Sequence, residues 1–557
     1  MKFFFRKIKY KHIFLSLISI ILFFSLIVLL ANAFLNHKLN KSNISLNNIS
    51  ESIRDVISSN FDGTEVKIDS IELTKLEDGK IYLYIKNVTI NDELGRELIS
   101  APSILIENGL ISYLMGSLSQ FYLEKITQRS IKLIRPNISL YQEKTGEFNF
   151  YNNSSKDREI ILSSQNSNSI DNLEENINYH FYQSYLQYLY SLVSVSDNSF
   201  YSKYFKSIKK LDVKDASIVI FNNKNEEIHR INNAALNFNN NDNSVLINLN
   251  ITSESIVDDN WFIDVNLLRN IDSIYTNIDL TFKNISNQNT EINYLNFLNS
   301  VRTPLSGRIN FDITELGMVN SLKSDINIGA DKLDLDNSNT KDYESNVSEH
   351  ISIKDGYLSF EYKSSSNEVL ISDIRIDYGK FIINTAGRLV LNFNHTGLLA
   401  SSDFLFNAMQ IDNTEVEEIN STFLSNGTLK GEVSFQPLIV KIESLESTFG
   451  DGTIMLNSDY YHDKKEKLKI FMEIKNTDIS EIYNIWPKEY NKEIRNWFLD
   501  NVRDSFIVSS KLNIFSEDMQ DYNLDLDLDF VDTNISYYKD LPNLSNASGS
   551  ILLKESK

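Results

Sequence analysis

The chain has 557 residues with 54 Lys/Arg, 75 Asp/Glu and no cysteine, for a formal charge of −21. Seven of the basic residues and none of the acidic ones fall in the first 50 positions, so the remainder carries 47 basic against 75 acidic residues, a balance of −28. That balance excludes nucleic acid, whose binding needs a positive surface, and tight lateral adhesion to an anionic membrane. The absence of cysteine excludes disulfides and thiolate metal sites.

Ile13–Leu35 is uncharged, with Ser16, Ser19, Ser25 and Asn32 its only polar residues. As a helix it would cover roughly 35 Å, enough to cross a bilayer. The flank of Lys2, Arg6, Lys7, Lys9 and Lys11 predicts a cytoplasmic N-terminus and export of everything after Leu35. Ala31-Asn32-Ala33 has the form of a signal-peptide cleavage site, so a cleaved leader competes with an uncleaved anchor; both export the rest of the chain.

Ile44, Ile49, Ile53, Val56 and Ile57 predict an amphipathic helix within Asn40–Phe61. The period then changes to two. Val66, Ile68, Ile71 and Leu73 lead through the turn Glu77-Asp78-Gly79-Lys80 to Ile81, Leu83 and Ile85. Val88 and Ile90 precede the turn Asn91–Gly95, and Ile104 and Ile106 follow it. Short strands joined by tight turns predict antiparallel pairing. Arg135-Pro136, flanked by Ile131, Leu133, Ile138 and Leu140, predicts a sheet edge or a strand start. Asp157–Asp171 reads as a polar loop. Leu173–Ile208, with Leu173, Ile177, Phe181, Tyr185, Tyr188 and Leu192 at helical spacing, reads as a helix capping a sheet.

From Leu211 onward alternation dominates. It is clear at Val245, Ile247, Leu249 and Ile251, at Ile374 and Ile376, and at Leu389, Leu391 and Phe393. It is clearest at Leu524, Leu526, Leu528 and Phe530, which alternate with Asp525, Asp527 and Asp529. Each such strand is aliphatic on one face and solvated on the other. These aliphatic residues are the candidate functional surface. Either a second layer closes it into sandwiches, or it lines an open groove that needs a partner.

Nothing in the sequence points to catalysis. His12, His37, His180, His229, His350, His395 and His462 lack metal-ligand spacing, and no nucleophile elbow or phosphate-binding glycine loop occurs. The three aspartates share one strand face with leucines between them, unlike a calcium loop. The expectation is a non-enzyme without catalytic residues, cofactor or metal.

The C-terminal segment reads Trp486-Pro487, then Arg495 and Trp497, then Asn501, and later Tyr537 and Pro542. This pattern resembles the AsmA-like family, especially its YhdP branch. The N-terminal organisation is similar too: one hydrophobic anchor, then strand pairs around Glu77–Lys80, Asn91–Arg96 and Arg135–Ile138. The family has glycine soon after the asparagine, where this chain has Asp504-Ser505-Phe506. Family members also continue well past the point where this chain stops, at Lys557, so a short or truncated form is expected.

The resemblance implies a mostly β protein, an N-terminal transmembrane helix followed by a long repeating antiparallel β-sheet groove with few helices. Its implied organisation is a cytoplasmic tail (1–12), anchor (13–35), N-terminal β region (36–150), polar loop and helical segment (151–210), repetitive groove (211–478) and Trp-Pro segment (479–557). About 25–30 strands would make a groove on the order of 120–145 Å long. The implied role is phospholipid transport between the inner and outer membranes of a Gram-negative-type bacterium. The chain would be held in the inner membrane with its bulk periplasmic. Its partners would be membrane phospholipids and an outer-membrane or periplasmic protein. Two alternatives stay open: a TamB-like factor for outer-membrane protein assembly, and a structural envelope protein with closed β-sandwiches.

Overall fold

A computed structural model describes residues 33–34, 36–58, 64–92, 95–107, 129–142, 148–149, 186–187, 189–190, 193, 208–222, 226–241, 243–252, 261–270, 272–286, 303–334, 350–377, 381–394, 399–413, 422–435, 437–462, 466–485, 492–518, 522–536 and 542–556. Most of the expected anchor, 13–35, lies outside these; Ala33 and Phe34 are helical, and Phe34 is exposed. No helix among the described residues is long and apolar enough to cross a membrane. The described residues are mostly β strand with few helices, and they divide into two compact units.

The first unit comprises Met1–Asn168, Ser191–Ser255 and Asn266–Asp272. Its strands are β1 (Ile44–Ser45), β2 (Glu65–Lys75), β3 (Ile81–Asn91), β4 (Glu97–Glu107), β5 (Arg129–Ile134), β6 (Asn137–Gln142), β7 (Phe148–Asn149), β8 (Ile208–Phe221), β9 (Glu227–Asn241) and β10 (Ser244–Thr252). The β2–β3 hairpin turns where the sequence predicts: Gly79 takes φ +77°, Asp78 Oδ1 accepts from the Lys80 amide at 3.0 Å, and Asp78 Oδ2 accepts from the Tyr82 hydroxyl at 2.7 Å. That hydrogen bond, with the adjacent amide, holds the Asp78 carboxyl below its ordinary range.

The predicted helix over Asn40–Phe61 is shorter than its pattern suggests. Ile44–Ser45 pairs with Glu72 and Leu73 as a strand, and helix α1 spans only Ser50–Ser58. The reason is local. The Leu46 amide donates to the Ile71 carbonyl, and Asn47 Oδ1 accepts from the Ile71 amide, so the outer side of β2 draws this stretch into a ladder. Arg135-Pro136 is a strand start and not an edge, since β5 and β6 on either side of it both pair with β4 and with β8. The β5–β8 and β6–β8 pairings are parallel, the exceptions to an otherwise antiparallel set of ladders.

The second unit comprises Ser169–Tyr190, Ile256–Val265 and Ser273–Lys557. β11 (Phe262–Asn270) has residues assigned to both units. The later strands are β12 (Thr276–Ile285), β13 (Leu305–Ile313), β14 (Val319–Ile328), β15 (Asp331–Asp334), β16 (His350–Ile353), β17 (Asp355–Lys363), β18 (Glu368–Asp377), β19 (Phe381–Phe393) and β20 (Leu399–Asn413). They continue as β21 (Thr422–Phe435), β22 (Leu438–Phe449), β23 (Gly452–His462), β24 (Glu466–Asp478), β25 (Val502–Arg503), β26 (Phe506–Ser516), β27 (Asn523–Ile535) and β28 (Leu544–Ser556). From β12 onward, apart from the separate β15–β16 pair, strands pair antiparallel with the next in sequence, while β14 skips to β17, β24 to β26 and the short β25 pairs with β27. Helices α2 (Ile479–Ile485) and α3 (Lys492–Asn501) interrupt the series.

The Leu173–Ile208 helical reading falls largely outside the described residues. Residues 186–187 and 189–190 are helical, and the Gln187 amide donates to the Leu316 carbonyl at 3.0 Å. This contact places that helical turn against the loop between β13 and β14.

Many strands carry a bulge, and the bulges use the chain's asparagines and aspartates. Asp215, Asn233, Asn284, Asn426 and Asp532 each sit inside a register shift with φ between 52° and 60°. Asn and Asp adopt this left-handed conformation more readily than other non-glycine residues. Each bulge bends its strand and sharpens the twist. Some of the chain's asparagines therefore have a structural use at these bulges.

Candidate functional site

In the second unit the bulged strands are registered so that their apolar residues line up in rows across most ladders. One row of Cα partners begins Leu280, Ile309, Ser324, Phe360, Ile371, Gly387 and Phe406. It continues through Leu429, Leu445, Leu456, Met472, Leu512, Leu526 and Leu553. At about 4.8 Å per strand this row runs on the order of 60 Å. Only Ser324 and Gly387 in it are not apolar. Ser324 is fully buried, and its hydroxyl has no hydrogen-bond partner among the described residues.

Two residues along each strand, and three across the bulge of β22, a second row runs parallel from Ile278 through Phe311, Leu322, Tyr362, Val369, Leu389 and Phe404 to Ile442, Ile470, Ile514 and Leu524. Gly431 and Ser458 complete it. The Phe404 and Phe406 rings lie 5.9 Å apart and cover the two glycine gaps.

Exposure along these rows separates two regimes. Met409, Leu424, Phe449, Ile454 and Ile474 form a buried cluster onto which Ile482 of α2 packs, so this flank of the face is covered. The rows themselves are mostly half-buried. Along β27, half-buried Leu524, Leu526, Leu528 and Phe530 alternate with exposed Asp525, Asp527 and Asp529. At β28, Leu553 is 38% exposed. A face closed by a second sheet would bury these side chains as completely as the cluster beneath α2.

The first unit has two such rows of its own. Leu73, Leu83, Ile106, Ile131, Leu211, Phe238 and Ile247 are successive partners, as are Ile71, Ile85, Ile104, Leu133, Val213, Leu236 and Leu249. Here the starting end is closed. Leu39, Ile44, Leu46 and Ile53 of α1 and its approach pack onto Val66, Ile71, Leu83 and Ile85.

The opposite face is laced with charge. In the second unit Arg308 meets Asp279 through two 2.7 Å bonds, and Lys430 meets Glu443 at 2.5 Å. Arg375 pairs with Asp355, and Lys511 and Lys475 share Glu473. Exposed pairs of this kind add little stability and chiefly keep the face wet. Asp325 accepts from the Ser359 hydroxyl at 2.7 Å and the Tyr357 hydroxyl at 3.1 Å, which together hold its carboxyl below the ordinary range. The native carboxylate thus stays ionised at a pH where the unfolded one takes up a proton. The stability it gives is complete above the unfolded value and is lost as pH falls through the folded one. Melts from about pH 5 to about pH 2 should show Asp325→Asn losing part of the wild-type acid slope. An unchanged slope would mean the two hydroxyls do not hold the charge.

The residues singled out from sequence fall as follows. Val245 and Ile247 are buried, and Leu249 and Ile251 half-buried, on the aliphatic face of β10. Ile374, Ile376, Leu389 and Leu391 are half-buried, and Phe393 is 42% exposed at the end of β19. Leu528 and Phe530 pair with Ile551 and Gly549 of β28. Trp486, Pro487 and Tyr537 lie outside the described residues. Arg495 lies on α3, and Trp497 there is 44% exposed. Asn501 ends α3: its side-chain amide donates to the Trp497 carbonyl at 2.7 Å, and its carbonyl accepts from the Ser536 amide. Pro542 is exposed just before β28. The missing glycine does not abolish the turn after α3, because Asp504 takes φ +50° and its carboxylate accepts from Asn534 at 3.0 Å. Tyr483 joins α2 to α3, donating to the carbonyls of Phe498 and Val502, and burial pushes its phenol up to about 12.

The sequence reading did not single out Phe404, Phe406, Leu445, Leu456, Met472 or Leu512. The unbroken apolar runs Phe404–Phe406 and Ile470–Met472 hide which residues face the rows, and the alternation of Lys467, Leu468, Lys469 and Ile470 was the available signal for β24.

These features define a class: a repeating, mostly antiparallel β protein with one aliphatic and one charged face. No protein family, curated protein or solved structure matches the chain.

Proposed function

We propose that this protein carries phospholipids, with acyl chains lying along the aliphatic rows and headgroups remaining in water. The observation that supports this most directly is the pair of near-continuous, half-exposed apolar rows crossing the strands of the second unit. A contiguous apolar surface of that length needs a partner, and an alkyl chain makes non-directional contact that suits a lining of Leu, Ile, Phe and Met. Nothing in this reading calls for a nucleotide or catalytic group on the chain. The AsmA-like, YhdP-branch resemblance supports the same role, as a carrier between inner and outer membranes. The uncharged 13–35 stretch and its basic flank support anchoring in the inner membrane with the bulk on the periplasmic side.

The test is to purify the full chain in mild detergent, wash it with lipid-free detergent, and count phospholipid by mass spectrometry. The expected result is at least one phospholipid retained per chain. A chain free of phospholipid that also fails to take up a fluorescent phospholipid from vesicles would overturn the proposal.

A further inference from the structure

Among the described residues of the second unit, ion pairs between strand residues lie on the charged face, with one exception. His462 and Glu466 are Cα partners at the turn between β23 and β24. They stand on the aliphatic face, at the end of a row that begins with Phe435 and Leu438. The next row inward is Val433, Val440, Tyr460 and Leu468, and the one after it is the second apolar row, at Ile442 and Ile470. His462 Nδ1 lies 2.8 Å from Glu466 Oε1 and donates to it, since an ionised carboxylate only accepts. The Tyr460 hydroxyl donates to the same oxygen at 3.4 Å, and its ring stacks with that of His462, centroids 6.4 Å apart. Both bonds fall on Oε1, and no described residue bonds Oε2. Glu466 is half-exposed. A carboxylate on the apolar side of the sheet, with one oxygen left open, is not what a solvated strand face requires.

We propose that Glu466, held by His462 and Tyr460, binds the primary ammonium group of an aminophospholipid whose acyl chains lie on the apolar rows. This rests on the carrier reading and names the headgroup that the site takes. A primary ammonium brings both a positive charge and N–H donors to Oε2, which makes a charge-assisted hydrogen bond. The faces of the Tyr460 and His462 rings flank the same point, and an aromatic face also favours a cation. The spacing suits a lipid. Glu466 is four residues from Ile470, about 13 Å along β24. Acyl chains at Ile470 therefore leave the glycerol and phosphate to cross Leu468 and Tyr460 before the amine reaches the carboxylate. A choline headgroup has the charge without an N–H donor, and a glycerol headgroup has no cation to set against the carboxylate.

The test loads the full chain, in mild detergent, from vesicles of equal parts phosphatidylethanolamine, phosphatidylcholine and phosphatidylglycerol. Each retained lipid is then counted by mass spectrometry. The wild-type chain should hold phosphatidylethanolamine about fivefold over either of the others, the size expected of one partly exposed charged pair. Glu466→Gln keeps the shape of the side chain and removes its charge. It should retain as much lipid in total and show no preference among the three. Glu361→Gln, which loses an exposed charge on the opposite face, should keep the wild-type preference. A wild-type chain that retains lipid without preference, or a preference that survives Glu466→Gln, overturns the headgroup site and leaves the carrier role standing. A chain that retains none of the three lipids overturns the carrier role and this site with it.

Discussion

Leu526→Asp is expected to abolish phospholipid retention and leave the β sheet folded. Leu526 stands in the first row between Leu512 and Leu553 and is half-buried. An uncompensated charge in a sealed core costs about 3–5 kcal/mol, enough to unfold many domains. At a half-exposed position the carboxylate keeps much of its water, and the loss is mainly that of some apolar burial, about 1 kcal/mol. An alkyl chain lying along the row meets that hydrated charge directly. Leu456→Asp, between Leu445 and Met472, should act the same way farther along. Asp527→Asn, on the opposite face, should change neither property. Thermal melts and phospholipid counts on the same preparations decide the matter. Loss of the fold in Leu526→Asp would reveal a closed core, and full lipid retention in both row variants would show that the rows are not the path.

The strand faces were legible in sequence because a period of two is a local property. Leu524 to Phe530 reads at once as one aliphatic and one acidic face, and the structure has that alternation. What the sequence hid is how the faces line up. A row forms only if each ladder is registered correctly, and register is fixed by turns and bulges that leave faint traces. The steps from Ile371 to Ile374 and from Phe406 to Met409 break the period of two. In the structure they are bulges inside β18 and β20, with Ala408 at φ +53°, and they return the next apolar residue to the same face. The start of α1 was misjudged because Ile44 fits a helical spacing and a strand equally well, and only the neighbouring Ile71 backbone decides between them. The parallel β5–β8 pairing joins residues about 80 positions apart, and no local pattern announces it.

Gly431→Val is expected to be among the most destabilising single changes in the second unit, costing about 3 kcal/mol or more. A β-carbon at Gly431 would press on the Lys441 carbonyl oxygen of the paired strand and on the Phe404 ring, whose Cε2 atom would lie only 2.9 Å away. A ring can rotate aside, but a carbonyl in a ladder moves only with its strand. Alanine should therefore already be poorly tolerated, and adding Phe404→Ala to Gly431→Ala should restore part of the loss and not all of it. Urea unfolding of the two single variants and the double gives that coupling directly. Full recovery in the double would mean that the ring alone demands the glycine, and no loss in Gly431→Ala would mean that the strand yields easily. The position also explains how the second row survives a residue without a side chain. Phe404 lies across the gap that Gly431 leaves, as Phe406 does at Gly387, where its Cδ1 would sit 2.9 Å from an added β-carbon. Each glycine leaves room for a neighbouring ring close to its backbone, so both rows stay apolar through their middle strands.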